Sequence, residues 1–459
     1  MKFDPPVGVI EHVAIIGAGF SGTLQAINLL RHDGPRATLI ERADAPGLGV
    51  AYGAAHPSHL LNVHAGNMSA FPDRPDDFIH WLAKGGSADP AGSFVPRKVY
   101  GAYLRELLDA ALAQSAGRLR IERGDVVDAV QDGAGVRLVM ADGRSLRADR
   151  AVVAVGNLPP HDPPGFDGAR LSPTRYRRDP WDADFAQDLG PEDTILAIGT
   201  GLTMVDIALL LDAQGFRGRL VALSRRGLLP RRHEAGPANP NPLAERPASV
   251  ASALLRAVRR RGEAIGWRPA VDELRRFTQS MWANASEAQR GRFLRHLRPW
   301  WDVHRHRLAP QVADRLALMQ REGRLHVAGG KIVDVTEHSG GVTVRWRPRG
   351  ADRPEPLTVQ RIVNCTGPQG DLLRTSEPLL QRLIERGTIR PDAARLGVDV
   401  DASARTIAAD GTANDWLYAI GPMTRGAFWE IVAVPDIRSQ TWTLARRLSN
   451  AHWVGGEGL

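Results

Sequence analysis

The sequence predicts an α/β protein with two parallel-sheet units, and three observations support this. Two glycine-rich turns, Gly17 to Gly22 and Gly199 to Met204, each follow an apolar run. Those runs, His12 to Ile16 and Thr194 to Ile198, are typical of buried parallel strands. An amphipathic, helix-like segment follows each turn. A strand, a glycine turn and a helix in that order predict a Rossmann-like dinucleotide-binding domain, so we expect two such domains.

Glycine is needed in these turns for steric and electrostatic reasons. The first glycine turns the chain, the second admits a diphosphate, and the helix N-terminus offers unpaired N–H groups to negative charge. The candidate binding residues are Gly17, Ala18, Gly19, Phe20, Ser21 and Gly22 in the first motif, and Gly199, Gly201, Leu202 and Thr203 in the second. Met204 replaces the third glycine, so we expect the second helix to lie slightly farther from its sheet. An ordinary strand-to-helix turn is the alternative for each motif.

The end of the second strand indicates which nucleotide each unit binds, because it reaches the adenosine ribose about 20 residues after the motif. In the first unit Glu41 can accept hydrogen bonds from both ribose hydroxyls, as FAD or NAD requires, and Arg42 after it is a further candidate cofactor-binding residue. In the second unit Ser224 stands there, followed by Arg225 and Arg226. A guanidinium binds a 2′-phosphate that a carboxylate would repel. We therefore predict NADPH rather than NADH in the second unit.

The composition bounds the class of protein. With 459 residues, 43% hydrophobic and 24% charged, the chain is typical of a globular protein of two or three domains. The net charge of +8 comes mainly from scattered arginines, which argues against a nucleic-acid partner. There is no long apolar run and no apolar leader, so we expect a cytoplasmic protein without a membrane partner.

The chain has one cysteine, Cys365, and this limits its redox chemistry. An intrachain disulfide and a redox-active dithiol are both excluded, and with them the chemistry of thioredoxin reductase and glutathione reductase. Cys365 lies in an apolar run, so we expect a packed thiol in the core. No spacing of histidines or carboxylates indicates a metal site.

The order of patterns along the chain predicts a discontinuous first domain. Alternating segments at 126–130 and 136–140 predict an antiparallel layer, and residues 151–155 predict a strand that returns to the first sheet. We assign residues 1–165 and 330–459 to the FAD domain. The NADPH domain, residues 166–329, is then inserted within it and carries a helical insert at 235–310. Three helices are predicted in this insert, at 249–261, 271–282 and 287–297, and a last helix begins near Pro435.

These residues resemble the two-dinucleotide-domain flavoproteins, which include flavin-containing, Baeyer–Villiger and N-hydroxylating monooxygenases and the disulfide reductases. The matching positions are the first motif with Glu41, the segment Val153 to Gly156, the second motif, the segment Asn364 to Gly367, and Trp416 to Pro422. Within that superfamily, the chain looks like a bacterial group of FAD/NAD(P)-binding proteins. The segments that carry this narrower likeness are Gly49 to Gly53, His59 to Val63 and Trp300 to Arg307.

The resemblance implies further positions at the flavin. Candidate cofactor-binding residues are Asn62, Val126, Gly156, Gly367, Gly421 and Pro422, with Pro435 and Ile437 at the start of the last helix. That helix would direct its N-terminus at the pyrimidine edge of the flavin. The loop from Asn62 to Met68 would lie against the isoalloxazine ring, with Asn62 and His64 as candidate catalytic residues and Asn67 beside them. The alternative is a loop whose amides cap neighbouring backbone.

Several aromatic and basic residues have two possible roles. Trp429 is either a buried aromatic or a wall of the flavin site. Four residues of the insert either line a pocket over the nicotinamide or hold the insert to the sheet, namely Trp300, Trp301, His304 and Arg307.

One departure concerns Baeyer–Villiger enzymes, which carry Phe-x-Gly-x-x-x-His-x-x-x-Trp between their domains. Here the comparable run begins at Phe166 and has Ser172 and Tyr176 in the histidine and tryptophan positions. That activity is therefore not expected.

The predicted function is an FAD-dependent monooxygenase. It uses NADPH and molecular oxygen, forms a peroxyflavin and oxygenates a small organic molecule, with N-hydroxylation as one form of the reaction. Two alternatives remain. One is a flavin reductase that passes electrons from NADPH to another acceptor, and the other is a non-catalytic flavin-binding interaction protein.

Overall fold

The computed structural model describes residues 9–449 except 55, 182–185, 187 and 235–241. The strands, in chain order, are β1 (His12–Ile16), β2 (Arg36–Glu41), β3 (Leu119–Arg123), β4 (Val126–Asp132), β5 (Gly135–Met140), β6 (Ser145–Ala148), β7 (Arg150–Val153), β8 (Tyr176–Arg177), β9 (Thr194–Ile198), β10 (Arg219–Ser224), β11 (Leu325–His338), β12 (Gly341–Pro348), β13 (Glu355–Val359), β14 (Arg361–Asn364), β15 (Arg405–Ile407) and β16 (Ala413–Ala419).

The helices, in chain order, are α1 (Phe20–Arg31), α2 (Gly49–Gly53), α3 (Asp77–Lys84), α4 (Arg97–Gln114), α5 (Leu202–Ala213), α6 (Ala251–Ile265), α7 (Trp267–Asp272), α8 (Thr278–Ala283), α9 (Glu287–Arg292), α10 (Arg298–Arg305), α11 (Pro310–Arg321), α12 (Pro378–Glu385) and α13 (Val434–Leu448). Within the described residues, none of these helices has the length and apolar character needed to cross a membrane.

The first sheet has the strand order β15-β16-β7-β1-β2-β3. Strand β1 is parallel to β2 on one side and to β7 on the other, and all five of its residues are buried. Helices α1 and α13 cover one face, and the predicted antiparallel layer, β4-β5-β6, covers the other. This arrangement brings the carboxyl ends of β1, β2 and β7 to one edge, where the turn beginning at Gly17 leads into α1.

The second sheet repeats this core and extends it. Its strand order is β13-β12-β11-β10-β9-β14-β8, with β9 parallel to both β10 and β14. Helices α5 and α11 pack together against the buried face of this sheet. The turn beginning at Gly199 connects β9 to α5, in the same place that the first glycine turn has in the first unit. The predicted fold class, with two Rossmann-like units, is therefore confirmed.

The predicted domain boundary at residue 330 falls inside β11, so the strand pairing does not follow that boundary. This strand pairs with β10 through its first residues and with β12 through the rest. Strands β12, β13 and β14 also belong to the second sheet. Continuous hydrogen bonding therefore assigns residues 330–364 to the second unit, and the chain returns to the first sheet only afterwards. The outer ends of the first domain, 1–8 and 450–459, lie outside the described residues.

The helical insert is more broken than its sequence pattern predicts. The helices predicted at 249–261 and 287–297 correspond to α6 and to α9 with a π-helical turn, Phe293–Leu297, that runs on into α10. The predicted helix at 271–282 is instead α7, a 3₁₀ turn at Glu273–Phe277, and α8. Near this break the Thr278 hydroxyl donates to the Arg275 carbonyl, at 2.9 Å, and competes with regular helix bonding. Residues 235–241 of the predicted insert lie outside the described part of the chain.

Candidate nucleotide-binding sites

The first glycine turn is sterically restricted to glycine. Gly17 has φ = +101°, and a Cβ there would lie 2.6 Å from the Ala154 carbonyl oxygen at the end of β7. A Cβ on Gly22 would overlap the Gly17 carbonyl oxygen. At Gly19, by contrast, the nearest atom to a Cβ is the Gly49 Cα at 3.7 Å. The turn is thus tight on its inner side and open where a diphosphate would approach.

The N-terminus of α1 supplies the donors. The first helical bond runs from the Thr23 N–H to the Gly19 carbonyl oxygen at 3.0 Å. Helix geometry therefore leaves four preceding amides without an intrahelical acceptor, those of Gly19, Phe20, Ser21 and Gly22. The Ala18 amide is different, because it donates to the Glu41 carboxylate at 2.7 Å. Four converging N–H groups fit the negative charge of a diphosphate.

Glu41 lies at the end of β2, beside this turn. Its two carboxylate oxygens accept one bond each, from the Ala18 and Ala43 amides at 2.7 and 2.8 Å. A carboxylate has about four acceptor positions, so two remain for ribose hydroxyls. The next residue, Arg42, was predicted to bind cofactor, but its guanidinium pairs with Glu377, with the closest contact at 2.8 Å. Arg42 is thus engaged in a protein ion pair.

The second glycine turn has the same construction. Gly199 has φ = +126°, and a Cβ there would overlap the Cys365 carbonyl oxygen just after β14. Nothing lies within 4 Å of a Cβ on Gly201. The first bond of α5 runs from the Val205 N–H to the Gly201 carbonyl oxygen at 3.2 Å, which leaves the amides of Gly201, Leu202, Thr203 and Met204 as donors. Cys365 is itself buried in the core of this unit, as predicted.

The end of β10 differs from the end of β2. The Ser224 hydroxyl lies 2.9 Å from the Thr200 hydroxyl and accepts the Gly227 amide at 3.0 Å, so it closes the turn rather than facing outwards. Arg225 is exposed, and no acceptor for it is found among the described residues. The Arg226 guanidinium lies 6.0 Å from the centre of the Trp300 ring. The end of β10 is thus followed by two guanidiniums and no carboxylate, whereas the end of β2 carries Glu41.

The loop from Asn62 to Met68 contacts the second unit. The Asn62 carbonyl oxygen lies 3.0 Å from His233 Nε2, and His64 Nδ1 donates to the Gly92 carbonyl at 2.9 Å. Burial lowers the pKa of His233 to about 4, so its ring is neutral near pH 7. The side chain of Asn62 makes no hydrogen bond to another described residue, and Asn67 is exposed. The His64 ring thus contacts backbone, while the Asn62 side-chain amide has no partner among the described residues.

A cavity opens beside this loop, between the two units. Its volume is about 390 Å³, within the range of small-molecule sites. Three rings meet there, with the Phe94 ring centre 4.2 Å from His64 and 5.1 Å from His233. The remaining lining residues are Gly92, Ser93, Glu234, Pro310 and Gln311.

The last helix starts where it was predicted but offers fewer free donors. Pro435, its second residue, has no N–H, and the amides of Asp436 and Ile437 both donate to the Ala433 carbonyl oxygen at 3.1 Å. Ile437 is buried. Among the first residues of α13, the N–H of Val434 is therefore the donor that faces no acceptor in the described chain. The dipole of the helix remains, but the predicted set of free amides is reduced.

The other predicted positions are Gly421, Pro422, Gly156 and Val126 in the first unit and Gly367 in the second. Gly421, with φ = +78°, lies against the Ser21 side chain, and its amide donates to Gln440 at 2.7 Å. Pro422 begins a short 3₁₀ turn that follows it. Gly156 and Gly367 have φ of +74° and +87° with open space at their Cβ positions, at the ends of β7 and β14. Val126 starts β4 with its side chain buried in the core, so only its backbone could reach a ligand.

The helical insert packs on the segment before α13. Trp429 is buried and stacks on Trp282 with ring centres 4.6 Å apart, and Trp282 Nε1 donates to the Gly426 carbonyl at 2.8 Å. Trp301 Nε1 donates to Glu430 at 3.2 Å. Arg307 instead binds Asp272 inside the insert, at 2.8 and 3.0 Å. These contacts favour a structural role for Trp429, Trp301 and Arg307, in which they hold the insert in place.

The run from Phe166 to Tyr176 also makes structural contacts. Phe166 packs against the Tyr176 ring with centres 5.0 Å apart. The Ser172 amide and hydroxyl both bind Glu337 at 2.7 Å. Ser172, in the position of the Baeyer–Villiger histidine, thus anchors the linker to β11.

Sequence reasoning missed a buried ion pair between the units. Arg97 at the start of α4 lies 2.9 Å from Asp206 on α5, and His59 Nε2 lies 3.0 Å from the Asp206 carbonyl oxygen. Burial raises the pKa of Asp206 to about 6, against the opposing effect of Arg97. One signal was present, because Asp206 is the lone charged residue between Leu202 and Leu211 in an apolar helix.

Comparison with known proteins agrees with this geometry. Residues 14–158 match the model of an FAD-NAD(P)-binding family. The matched residues include the first glycine turn, Glu41 and the strands from β2 to β7, which form the N-terminal part of the first unit. Among curated protein sequences, none matches the chain significantly.

Solved structures share the fold over nearly the whole chain. Ornithine hydroxylase PvdA from Pseudomonas aeruginosa is 14% identical with a TM-score of 0.65, over 96% of this chain and 99% of that one. The ornithine N-hydroxylase KtzI from Kutzneria sp. 744, a structure with reduced FAD, NADP+ and L-ornithine, is 14% identical with a TM-score of 0.64, over 96% and 99%. Thioredoxin reductase from T. acidophilum is 12% identical with a TM-score of 0.52, over 95% and 97%. The chain therefore has the fold of the two-dinucleotide-binding-domain flavoproteins.

Proposed function

We propose that this protein is an FAD-dependent monooxygenase that uses NADPH and molecular oxygen to oxygenate a small organic molecule, with nitrogen as the favoured acceptor atom. The observation that carries the proposal is the pair of glycine turns, each of which leaves space and four helix N-terminal amides for a diphosphate. They occur on a fold shared with N-hydroxylating enzymes. With a single cysteine, the chain cannot form the dithiol that disulfide reductases of the same fold require.

FAD fits the first unit. The amides from Gly19 to Gly22 would hold its diphosphate, and Glu41 would accept its ribose hydroxyls with its two remaining acceptor positions. When bound, FAD accepts a hydride from NADPH and, in its reduced form, supplies the electrons that activate oxygen. The dipole of α13 would favour the negative charge that arrives on the pyrimidine edge.

NADPH fits the second unit. The amides from Gly201 to Met204 would hold its diphosphate, while Arg225 would bind the 2′-phosphate with its exposed guanidinium. Ser224 presents no carboxylate to repel that phosphate.

The overall reaction balances without a further reactant. NADPH provides two electrons as a hydride, and the substrate provides two more as it gains one oxygen atom. Together with one proton, the four electrons convert oxygen into the new substrate oxygen and one water. The cavity lined by His64, Phe94 and His233 is the candidate place for the organic molecule.

Stopped-flow absorbance of the FAD-loaded protein tests the proposal. We expect NADPH to bleach the flavin without oxygen, and air to reoxidise it with formation of a product 16 mass units heavier when primary amines are supplied. Release of one peroxide per NADPH with every substrate tried would contradict oxygenation. Rapid turnover with artificial acceptors and little oxygen uptake would favour the reductase alternative. A flavin that NADPH does not reduce would favour the interaction protein.

A further inference from the structure

Arg97, His59 and Asp206 connect the two units at a buried point, and here we call them the inter-unit clamp. Nη2 of Arg97 lies between both carboxylate oxygens of Asp206, at 3.1 and 2.9 Å. The two side chains are only 15% and 6% exposed. His59 Nε2–H donates to the Asp206 carbonyl oxygen at 3.0 Å. The clamp thus joins the loop before Asn62 and the start of α4 to α5.

Arg97 also binds the loop that leads to Asn62. Its backbone N–H donates to the His59 carbonyl at 2.8 Å, and its Nε donates to the Leu60 carbonyl at 3.4 Å. Arg97 therefore contacts both the loop before Asn62 and helix α5. A displacement of α5 would strain this loop, and a displacement of the loop would strain α5.

The hydrogen bonds of His59 require one neutral tautomer. Its Nδ1 accepts the His56 amide at 3.1 Å, while Nε2 donates to the Asp206 carbonyl oxygen. A protonated ring would direct a second N–H at the His56 amide, which is itself a donor. Burial, helped by the charge of Arg97, lowers the pKa of His59 to about 4 and so keeps this arrangement near neutral pH.

The surroundings of the clamp explain why a charged pair is useful there. The neighbouring residues are mainly apolar and include Leu60, Leu202, Val205, Leu209 and Leu308. Apolar side chains pack without strong directional preference, and a buried ion pair adds little net stability compared with them. A hydrogen-bonded pair does, however, define one relative position of the two helices.

We propose that the clamp positions α5 so that NADPH, held by the first turn of that helix, lies against the flavin beside Asn62. This inference rests on the function proposed above. Asp206 is the fifth residue of α5, two residues after Met204, the last of the four amides that would hold the diphosphate. Arg97, His59 and Asp206 are positioning residues, because they act through α5 and the loop rather than on the reacting atoms.

Asp206→Asn in the FAD-loaded protein tests the clamp directly. We expect the limiting rate of flavin reduction at saturating NADPH to fall about tenfold to hundredfold, because a displacement of about 1 Å suffices for that loss. FAD content and the flavin spectrum should not change. Asp212→Asn is the matched control, since Asp212 lies on the same helix but pairs with Arg315 and Arg324 inside the second unit. The control should lower the melting temperature without slowing reduction.

Two further variants keep the test interpretable if Asp206→Asn does not fold. Arg97→Lys keeps the charge but loses the Nε bond to Leu60, so we expect an intermediate rate. The double variant Arg97→Gln with Asp206→Asn leaves no unpaired buried charge. Its melting temperature should therefore be higher than that of either single variant, while its flavin should still be reduced slowly. A folded, FAD-bearing Asp206→Asn variant with the wild-type limiting rate would overturn the proposal, as would an equal loss in the Asp212→Asn control.

The pH profile separates positioning from general destabilisation. Burial raises the pKa of Asp206 to about 6, and the groups facing it are Arg97, His59 and the Cys365 thiol, whose pKa burial also raises. As pH falls through about 6, protonation of Asp206 removes the charge that Arg97 binds. The reduction rate of the wild-type protein should fall in that range, whereas Asp206→Asn should be slow and lack this step. An identical step in the variant would count against the clamp.

Amide hydrogen exchange distinguishes failure of the clamp from failure of the proposed function. We expect NADP+ to protect residues 201–206 and also residues 59–67 in the wild-type protein, but only 201–206 in Asp206→Asn. Protection of both segments in the variant would overturn the clamp, whatever the activity. A wild-type flavin that NADPH fails to reduce would overturn the proposed function alone.

Discussion

The two nucleotide-binding units use the same turn but differ in what surrounds it. In each, the first glycine has a positive φ, +101° at Gly17 and +126° at Gly199, and faces a carbonyl oxygen from the end of a neighbouring parallel strand. In each, four amides precede the first helical hydrogen bond and so have no acceptor within the helix. The units diverge at the end of the second strand, where Glu41 stands in one and Ser224 in the other. Close backbone packing thus determines the turn in both units, while the side chains at the end of the second strand are where the units differ.

The third glycine position sharpens this comparison. In the first unit a Cβ on Gly22 would overlap the Gly17 carbonyl oxygen, so helix and turn contact through backbone. In the second unit Met204 occupies that position and is fully buried in the core. A helix N-terminus can therefore serve the same turn with a side chain beneath it, provided that the core accommodates the extra volume.

The largest expected effect comes from replacing the first glycine of each turn. Gly17→Ala should yield protein without bound FAD, because the new Cβ meets the Ala154 carbonyl at a positive φ. Gly199→Ala should keep FAD but lose reduction by NADPH, because its Cβ meets Cys365. Visible absorbance and an NADPH titration check both results. Gly215→Ala, at φ = +77° with open space, is the control for strain alone. Unchanged NADPH affinity in Gly199→Ala would break the parallel between the two turns.

Met204→Ala tests the difference between the helices. Removing this buried side chain should lower the free energy of unfolding by about 2–5 kcal/mol, because a cavity forms between α5 and the sheet. Met204→Leu nearly conserves volume and should change it by less than about 1.5 kcal/mol. Chemical denaturation of the FAD-loaded protein measures both. Equal stability of the two variants would mean that the position is not tightly packed.

Arg225→Ala tests which nucleotide the second unit prefers. Loss of charge-assisted hydrogen bonds to a 2′-phosphate, about 1.5–3 kcal/mol, should raise the KM for NADPH roughly tenfold to hundredfold. The KM for NADH should stay within about twofold, since NADH has no such phosphate. Arg225→Lys should lie between the two, because it keeps the charge without the guanidinium fork. A parallel rise for both nucleotides would contradict the assigned role.

Ser224→Glu makes the second unit resemble the first, and its effect should be the smallest. The carboxylate should weaken NADPH binding by repelling the 2′-phosphate and improve NADH relative to NADPH about fivefold to tenfold. The substitution also removes the hydroxyl that binds Thr200 and Gly227, so stability should fall by about 1 kcal/mol. Ser224→Ala controls for that loss and should leave the preference between nucleotides unchanged. Steady-state kinetics with both nucleotides distinguish the two variants.

Local signals in the chain were sufficient for much of this fold. The order of strand, glycine turn and helix predicted both units, alternating apolar residues predicted the antiparallel layer at β4 and β5, and Pro435 predicted the start of the last helix. Each of these signals depends on neighbouring residues. The predicted boundary at residue 330 falls inside one long strand, β11, which pairs with two different partners along its length. Arg42 was assigned to the cofactor, yet its partner Glu377 is distant in sequence.

The amino-acid sequence by itself determined the two tight glycine turns and the helix N-termini that follow them, since each turn and its helix are built from consecutive residues. It also excluded a redox-active dithiol within these 459 residues, because one cysteine cannot form one. The tertiary structure alone decided how the two units face each other. Arg97, His59 and Asp206 are brought together from separate segments, and a buried charge finds its partner only once the chain has folded around it.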